Sequence, residues 1–272
     1  MNIINIFIWQ FNNIYVFYIL RGLQGFCFGG IEGIIIYTID KDKSKINLFN
    51  NTTPFLLPLL SYFYYIFNVK CFTIFINILI FILIFLIYFI NDIDLKKKNY
   101  NFLENKKFFR YSHVMGISLG FAVSVSTIVV IYNKYLLNFI SYNFYKILPL
   151  IIGGFIGILL KKNLKVLIFN LICISLSILF FNNKLFVIFF IISVYNFYFI
   201  FSPLLVIHTT KTIPIEYLKY IYMWKHIYTY IILWIMNYIH INIKYKIIIL
   251  TIGTISTFLF GEIYRKKFLN NY

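Results

Sequence analysis

Nine stretches of this chain are apolar over about twenty consecutive residues, separated by short polar gaps, and that recurrence leaves few folds open to it. As a helix rising 1.5 Å per residue, a run of that length crosses a hydrocarbon core of about 30 Å. In lipid the backbone must satisfy its own hydrogen bonds, which leaves helices or a closed barrel, and runs this long fit helices. The runs are 14–37, 47–67, 70–90, 112–133, 144–160, 164–181, 184–207, 220–239 and 245–264. Residues 1–11 are apolar but too short to cross, and read as the tail end of a tenth helix. The expected class is all-α: a polytopic helical membrane protein with about nine transmembrane helices plus a short N-terminal apolar segment. Composition agrees, with 61% hydrophobic and only 12% charged residues and no polar stretch long enough to form a soluble domain.

A net charge of +17 raises the question of a nucleic-acid partner, but the position of the charge argues against one. The gaps at 38–46, 91–111, 161–165 and 208–219, with the tail after 264, hold seventeen of the twenty-five Lys and Arg. The alternate gaps and the run ends that border them hold six, Lys70, Lys134, Lys146, Lys184, Lys244 and Lys246, and Arg21 and Lys225 lie deeper within runs. Basic loops face the cytoplasm, so the amino terminus is expected outside and the carboxyl terminus, RKKFLNNY, inside. The longest gap, NDIDLKKKNYNFLENKKFFR, separates three runs from six and suits anionic lipid head groups. The expected organisation is a partial N-terminal helical bundle over 1–90, a basic cytoplasmic linker over 91–111 and a C-terminal six-helix bundle over 112–272.

Ile, Phe, Tyr, Asn and Lys dominate the chain and Ala122 is its only alanine, a bias that an AT-rich genome explains. Single lysines, asparagines and tyrosines therefore carry little weight, whereas clustered glycines and the three arginines, Arg21, Arg110 and Arg265, run against the bias. Cys27, Cys71 and Cys173 are scattered in apolar runs and read as small buried side chains. The amino terminus has neither a basic n-region nor a small-residue cleavage site, so no removable signal peptide is expected.

The stretch RGLQGFCFGGIEG, Arg21 to Gly33, holds five of the twelve glycines. At about 100° per residue, Gly22, Gly25, Gly29 and Gly33 line one helical face, and Arg21, Phe28 and Glu32 a second face about a quarter turn away. The first face suits close helix packing. The second carries charge into the membrane, where an arginine is tolerated only beside a polar cavity or a partner, so Arg21 is a candidate functional residue. Glu32 has two readings, proton or substrate handling and a local partnership with Lys43 or Lys45.

Pro54 and Pro58 fall four apart on one face of the second run, and each removes a backbone donor. The pair reads as a hinge or cavity wall, or as a packing irregularity. GGFIGILLKKNLKVL places Gly153, Gly154 and Gly157 at the end of one helix and Lys161, Lys162 and Lys165 around the next turn. Lys225 and His226 lie within two turns of a helix end, where a lysine reaches the interface on its long stem. Glu262, with Arg265 and Lys266 at i+3 and i+4, reads as a satisfied terminal cluster, and His113, His208 and His240 are expected at helix ends or loops.

Groups for catalysis are lacking. Asp40, Asp42, Asp92 and Asp94 are the only aspartates and do not form paired magnesium-diphosphate motifs. The four histidines do not stack as haem ligands, and no Ser, His and Asp set shares one side of the membrane. The expectation is that the chain is not an enzyme and uses no cofactor or metal.

RGLQGFCFGG resembles the start of the fourth helix of the major facilitator superfamily, where R-x-x-Q-G opens a glycine-rich helix. TTPFLLPLLSYFYYIFNVKCFTIFIN resembles the fifth helix of its drug-proton antiporter branch, of the bicyclomycin-resistance type, and GILLKKNLK is similar to the loop between helices eight and nine. The departures are Ser61 and Tyr62 for a double glycine, Lys161 for the loop aspartate, Leu164 for its glycine, and Val69 and Lys70 for a Trp-Arg pair. Counting run 14–37 as helix four makes the last run helix twelve and puts the long basic gap at the family's central linker.

The resemblance implies a truncated two-bundle transporter lacking the first two to three helices. It implies alternating access and proton-coupled efflux of a small molecule or drug, with Arg21 and Gln24 in the cavity. A separately encoded N-terminal portion is the partner it suggests, beside the bilayer, the substrate and protons. The other reading is a degenerate or non-transporting membrane protein, or a subunit of a larger complex.

Overall fold

The computed structural model describes residues 102–160, 164–210, 212–214 and 217–269, together with 15, 16, 19, 74 and 78. Arg21, Gly22, Gln24, Gly25, Gly29, Glu32, Gly33, Pro54, Pro58 and Lys162 lie outside the described residues. The regular elements are α1 (Phe102–Leu136), α2 (Asn143–Leu159), α3 (Leu164–Leu179), α4 (Lys184–Thr210), α5 (Leu218–Tyr238) and α6 (Ile243–Phe268). Each coincides with one of the last six apolar runs, and the described region is all-helical.

Among the described residues three segments are long and apolar enough to cross a membrane: Asn105–Leu136, Lys184–Ser202 and Ile243–Phe268. Two others are shorter, with apolar stretches at Asn143–Gly157 and Lys165–Leu179. α5 has 21 residues but carries Lys219, Lys225, His226 and five tyrosines, which dilute its apolar character. Of the remaining three runs of the expected nine, only residues 15, 16, 19, 74 and 78 are described.

α1 begins at Phe102, ten residues before the apolar run at 112. The charged string Asn105 to Arg110 hides this extension in the sequence, but Phe108 and Tyr111 point inward, at 1% and 0% exposure, and hold the extra turns on the bundle. At 35 residues α1 is about 52 Å long at 1.5 Å per residue, well beyond a hydrocarbon core.

Hydrogen bonds at the ends show the helices running up and down. At one end Asn133 Nδ2 donates to the Lys146 carbonyl at 2.5 Å, joining the close of α1 to the opening of α2. The Lys246 ammonium, only 7% exposed, donates at 2.5 Å to the Met236 carbonyl, where α5 stops and α6 starts. It thereby supplies a charged donor to a helix C-terminus that lacks one of its own. Asn242 caps α6, accepting from the Lys244 N–H at 3.1 Å. At the opposite end the start of α1 meets the start of α5, where Tyr217 bonds Asn105.

α1 and α4 form the interior. α1 packs on α5 and α6, α4 packs on α2 and α3, and the two central helices also meet each other. Glycine sets how closely two of these pairs approach. A Cβ on Gly116 would lie 2.5 Å from the Trp224 Cβ and 2.8 Å from the Ile221 carbonyl; one on Gly120 would lie 3.0 Å from the Tyr228 Cβ. Gly153 and Gly157 do the same for α2 on α4, with the Ile192 carbonyl at 2.6 Å and the Phe199 Cβ at 2.5 Å. Both seams are Gly-x-x-x-Gly, the spacing that lets membrane helices touch backbone to backbone. Outward faces carry large apolar side chains such as Phe169, Trp234 and Ile263, which suits a lipid surround.

Candidate functional site

Between residue 112 and the carboxyl terminus the chain has two acidic residues, Glu216 and Glu262. Glu262 lies on α6 directly after Gly261, whose missing side chain leaves room for Met115 of α1, with Cε 2.8 Å from where a Cβ would sit. That approach brings Tyr111, four residues before Met115, over the carboxylate, and its hydroxyl donates to Glu262 Oε1 at 3.5 Å. His208, in the last turn of α4, bonds the same oxygen through Nε2. A carboxylate only accepts, so Nε2 carries the hydrogen. The other oxygen, Oε2, accepts from Arg265 Nε at 3.0 Å.

One carboxylate thus gathers donors from α1, α4 and its own helix. Its side chain is 18% exposed, against 33% for His208 and 27% for Arg265, so the cluster is partly shielded yet reached by solvent at the bundle end. Two charged or ring N–H donors and a phenol hold the charge that burial opposes. The backbone after α4 is pinned beside it, since Thr212 Oγ1 donates to the His208 carbonyl at 2.8 Å. α4 and α6 otherwise meet through rings, Phe201 on Phe258 at 5.7 Å between centroids and His208 on Phe258 at 6.1 Å. The His208–Glu262 contact is therefore a polar tether between two helices with a small shared seam.

The terminal cluster expected at Glu262 is present in its Arg265 contact. The reach to α1 and α4 is what sequence spacing missed, because His208 and Tyr111 lie 54 and 151 residues away. The scarcity of acid in this half of the chain was the one signal that marked Glu262.

Two expectations are corrected. Lys225 does not reach for the interface: it is 7% exposed, with Nζ 4.8 Å from the Tyr222 ring centroid, because the Gly116 and Gly120 contact draws that face of α5 against α1. His113 is not terminal either, since α1 begins eleven residues earlier, and its Nε2 pairs with the Tyr228 hydroxyl at 2.8 Å beside the Trp224 ring at 4.2 Å. Gly157 lies inside α2 against Phe199, and Lys165 is exposed in the first turn of α3.

Comparison with family models, with curated proteins and with solved structures finds no match to this chain.

Proposed function

We propose that the chain is a secondary transporter of the major facilitator type, moving a small molecule outward across a bacterial inner membrane in exchange for protons. The observation that carries this reading is the helix pairing. Exchanging α1 with α4, α2 with α5 and α3 with α6 turns the α1–α5 and α1–α6 contacts into the α4–α2 and α4–α3 contacts. Such exchange is what two three-helix repeats of opposite orientation produce, and nested inverted repeats build each half of this transporter class. The two glycine seams lie at exchanged contacts, α1–α5 and α4–α2, with the glycines on the central helix α1 in the first and on the outer helix α2 in the second.

In this reading the basic gaps face the cytoplasm, as does the carboxyl terminus. Arg21 and Gln24 line the cavity, Glu32 lies on the same pathway, and Pro54 and Pro58 shape the neighbouring helix. Glu262 and His208 form a second titratable pair at the cytoplasmic end of the six-helix half. Proton-coupled export is tested by reconstituting the full chain in liposomes with pyranine inside and imposing a pH gradient. Adding ethidium should produce proton movement that an empty liposome does not show. Equal traces with and without protein, for ethidium and for other lipophilic cations, would favour a non-transporting subunit.

A further inference from the structure

Where α1 and α5 begin, a cleft of ≈ 520 Å³ opens between them, lined by Asn105, Lys106, Phe109, Tyr217 and Tyr220. Its wall is fixed by the Tyr217–Asn105 hydrogen bond and by rings: Phe109 meets Tyr220 edge to face at 5.2 Å, and Tyr217 meets Tyr220 at 5.9 Å. Its rim is cationic. Lys106 lines it, exposed Arg110 follows one turn later on the same face of α1, and the Lys219 ammonium lies 5.1 Å from the Tyr220 ring centroid. No acid is among the described lining residues. Like charges one turn apart on a helix repel, and an anion placed between them removes that repulsion.

The height of the cleft identifies the anion. The apolar run of α1 starts near 112 and that of α5 near 220, so Lys106 stands about 9 Å outside the hydrocarbon boundary at 1.5 Å per residue. The head-group layer is roughly 5–8 Å thick on each side of the core, so the Lys106 backbone lies just beyond it and the Lys219 backbone near its inner edge, and their long side chains bracket the phosphates while the tyrosines sit at the interface they favour. Below the cleft, Tyr220, Met223 and Ile227 share one face of α5, with Met223 37% and Ile227 40% exposed, a strip on which an acyl chain can lie. We infer that this cleft binds the phosphate of an anionic phospholipid, held by Lys106 and Lys219, with an acyl chain running along α5.

Trp224 reports on the site, since its ring centroid is 6.2 Å from that of Phe109. With Trp9 and Trp234 replaced by phenylalanine, it is the single tryptophan of the full-length protein. In phosphatidylcholine nanodiscs, brominated phosphatidylglycerol should quench Trp224 severalfold more per mole than brominated phosphatidylcholine. That preference should vanish in K106Q/K219Q, two exposed positions, and return in K106R/K219R. Equal quenching by the two lipids in the parent protein, or a preference that survives K106Q/K219Q, would overturn the assignment. Millimolar inorganic phosphate should leave the lipid preference intact; abolition by phosphate would make the site one for a soluble anion instead.

Discussion

His208 and Glu262, 54 residues apart in sequence, meet side chain to side chain where α4 and α6 both end. Glu262→Gln and His208→Gln should each lower stability by about 1.5–3 kcal/mol, the range for a hydrogen bond to a charged group. The double variant should lose clearly less than the sum, as residues in one network do. Thermal unfolding in a mild detergent measures all three, and simple additivity would mean the pair is not coupled.

The glycine seams predict a graded response. At Gly116 an added methyl meets backbone and a Cβ that cannot turn away, so Gly116→Ala should cost about 1–3 kcal/mol. At Gly261 the nearest atom is the end of the flexible Met115 side chain. There the gain of about 1 kcal/mol in helix propensity should offset the crowding and leave stability nearly unchanged. Equal losses at both positions would contradict the seam.

Lys246→Met keeps the apolar stem and removes the ammonium that serves the Met236 carbonyl. Amide hydrogen exchange in the last turn of α5 should speed up severalfold, with α1 unaffected, since an uncapped helix end frays first.

Arg21→Ala should abolish proton-coupled movement of ethidium in liposomes while leaving the protein folded. Retained coupling would remove Arg21 from the mechanism and shift attention to Glu262 and His208.

Reporter fusions placed after Asn91 and after Tyr272 should read the same face of the membrane. Opposite faces would change the number of crossings between them and remove the basis for the transporter reading.

The six helices between 102 and 269 were legible because in lipid a long apolar run is itself the structural signal, with no need to resolve a periodic face. Their limits follow the runs within a few residues except at α1, where Lys106, Lys107 and Arg110 mask the inward pair Phe108 and Tyr111. Side-chain partnerships were not legible. Local spacing found Arg265 beside Glu262, but Tyr111 and His208 arrive through packing of α1 and α4. The burial of Lys225 likewise depends on two glycines more than a hundred residues away in α1.

The two Gly-x-x-x-Gly seams also limit how the bundle can deform. With backbones in contact, α1 and α5 behave as one double rod and α2 and α4 as another. Rearrangement of the six helices is therefore expected between the rods, with α6 carried on α1 and α3 carried on α4. The His208 to Glu262 link joins α4 to α6 across that joint, which makes its rupture a natural marker of the bundle changing shape.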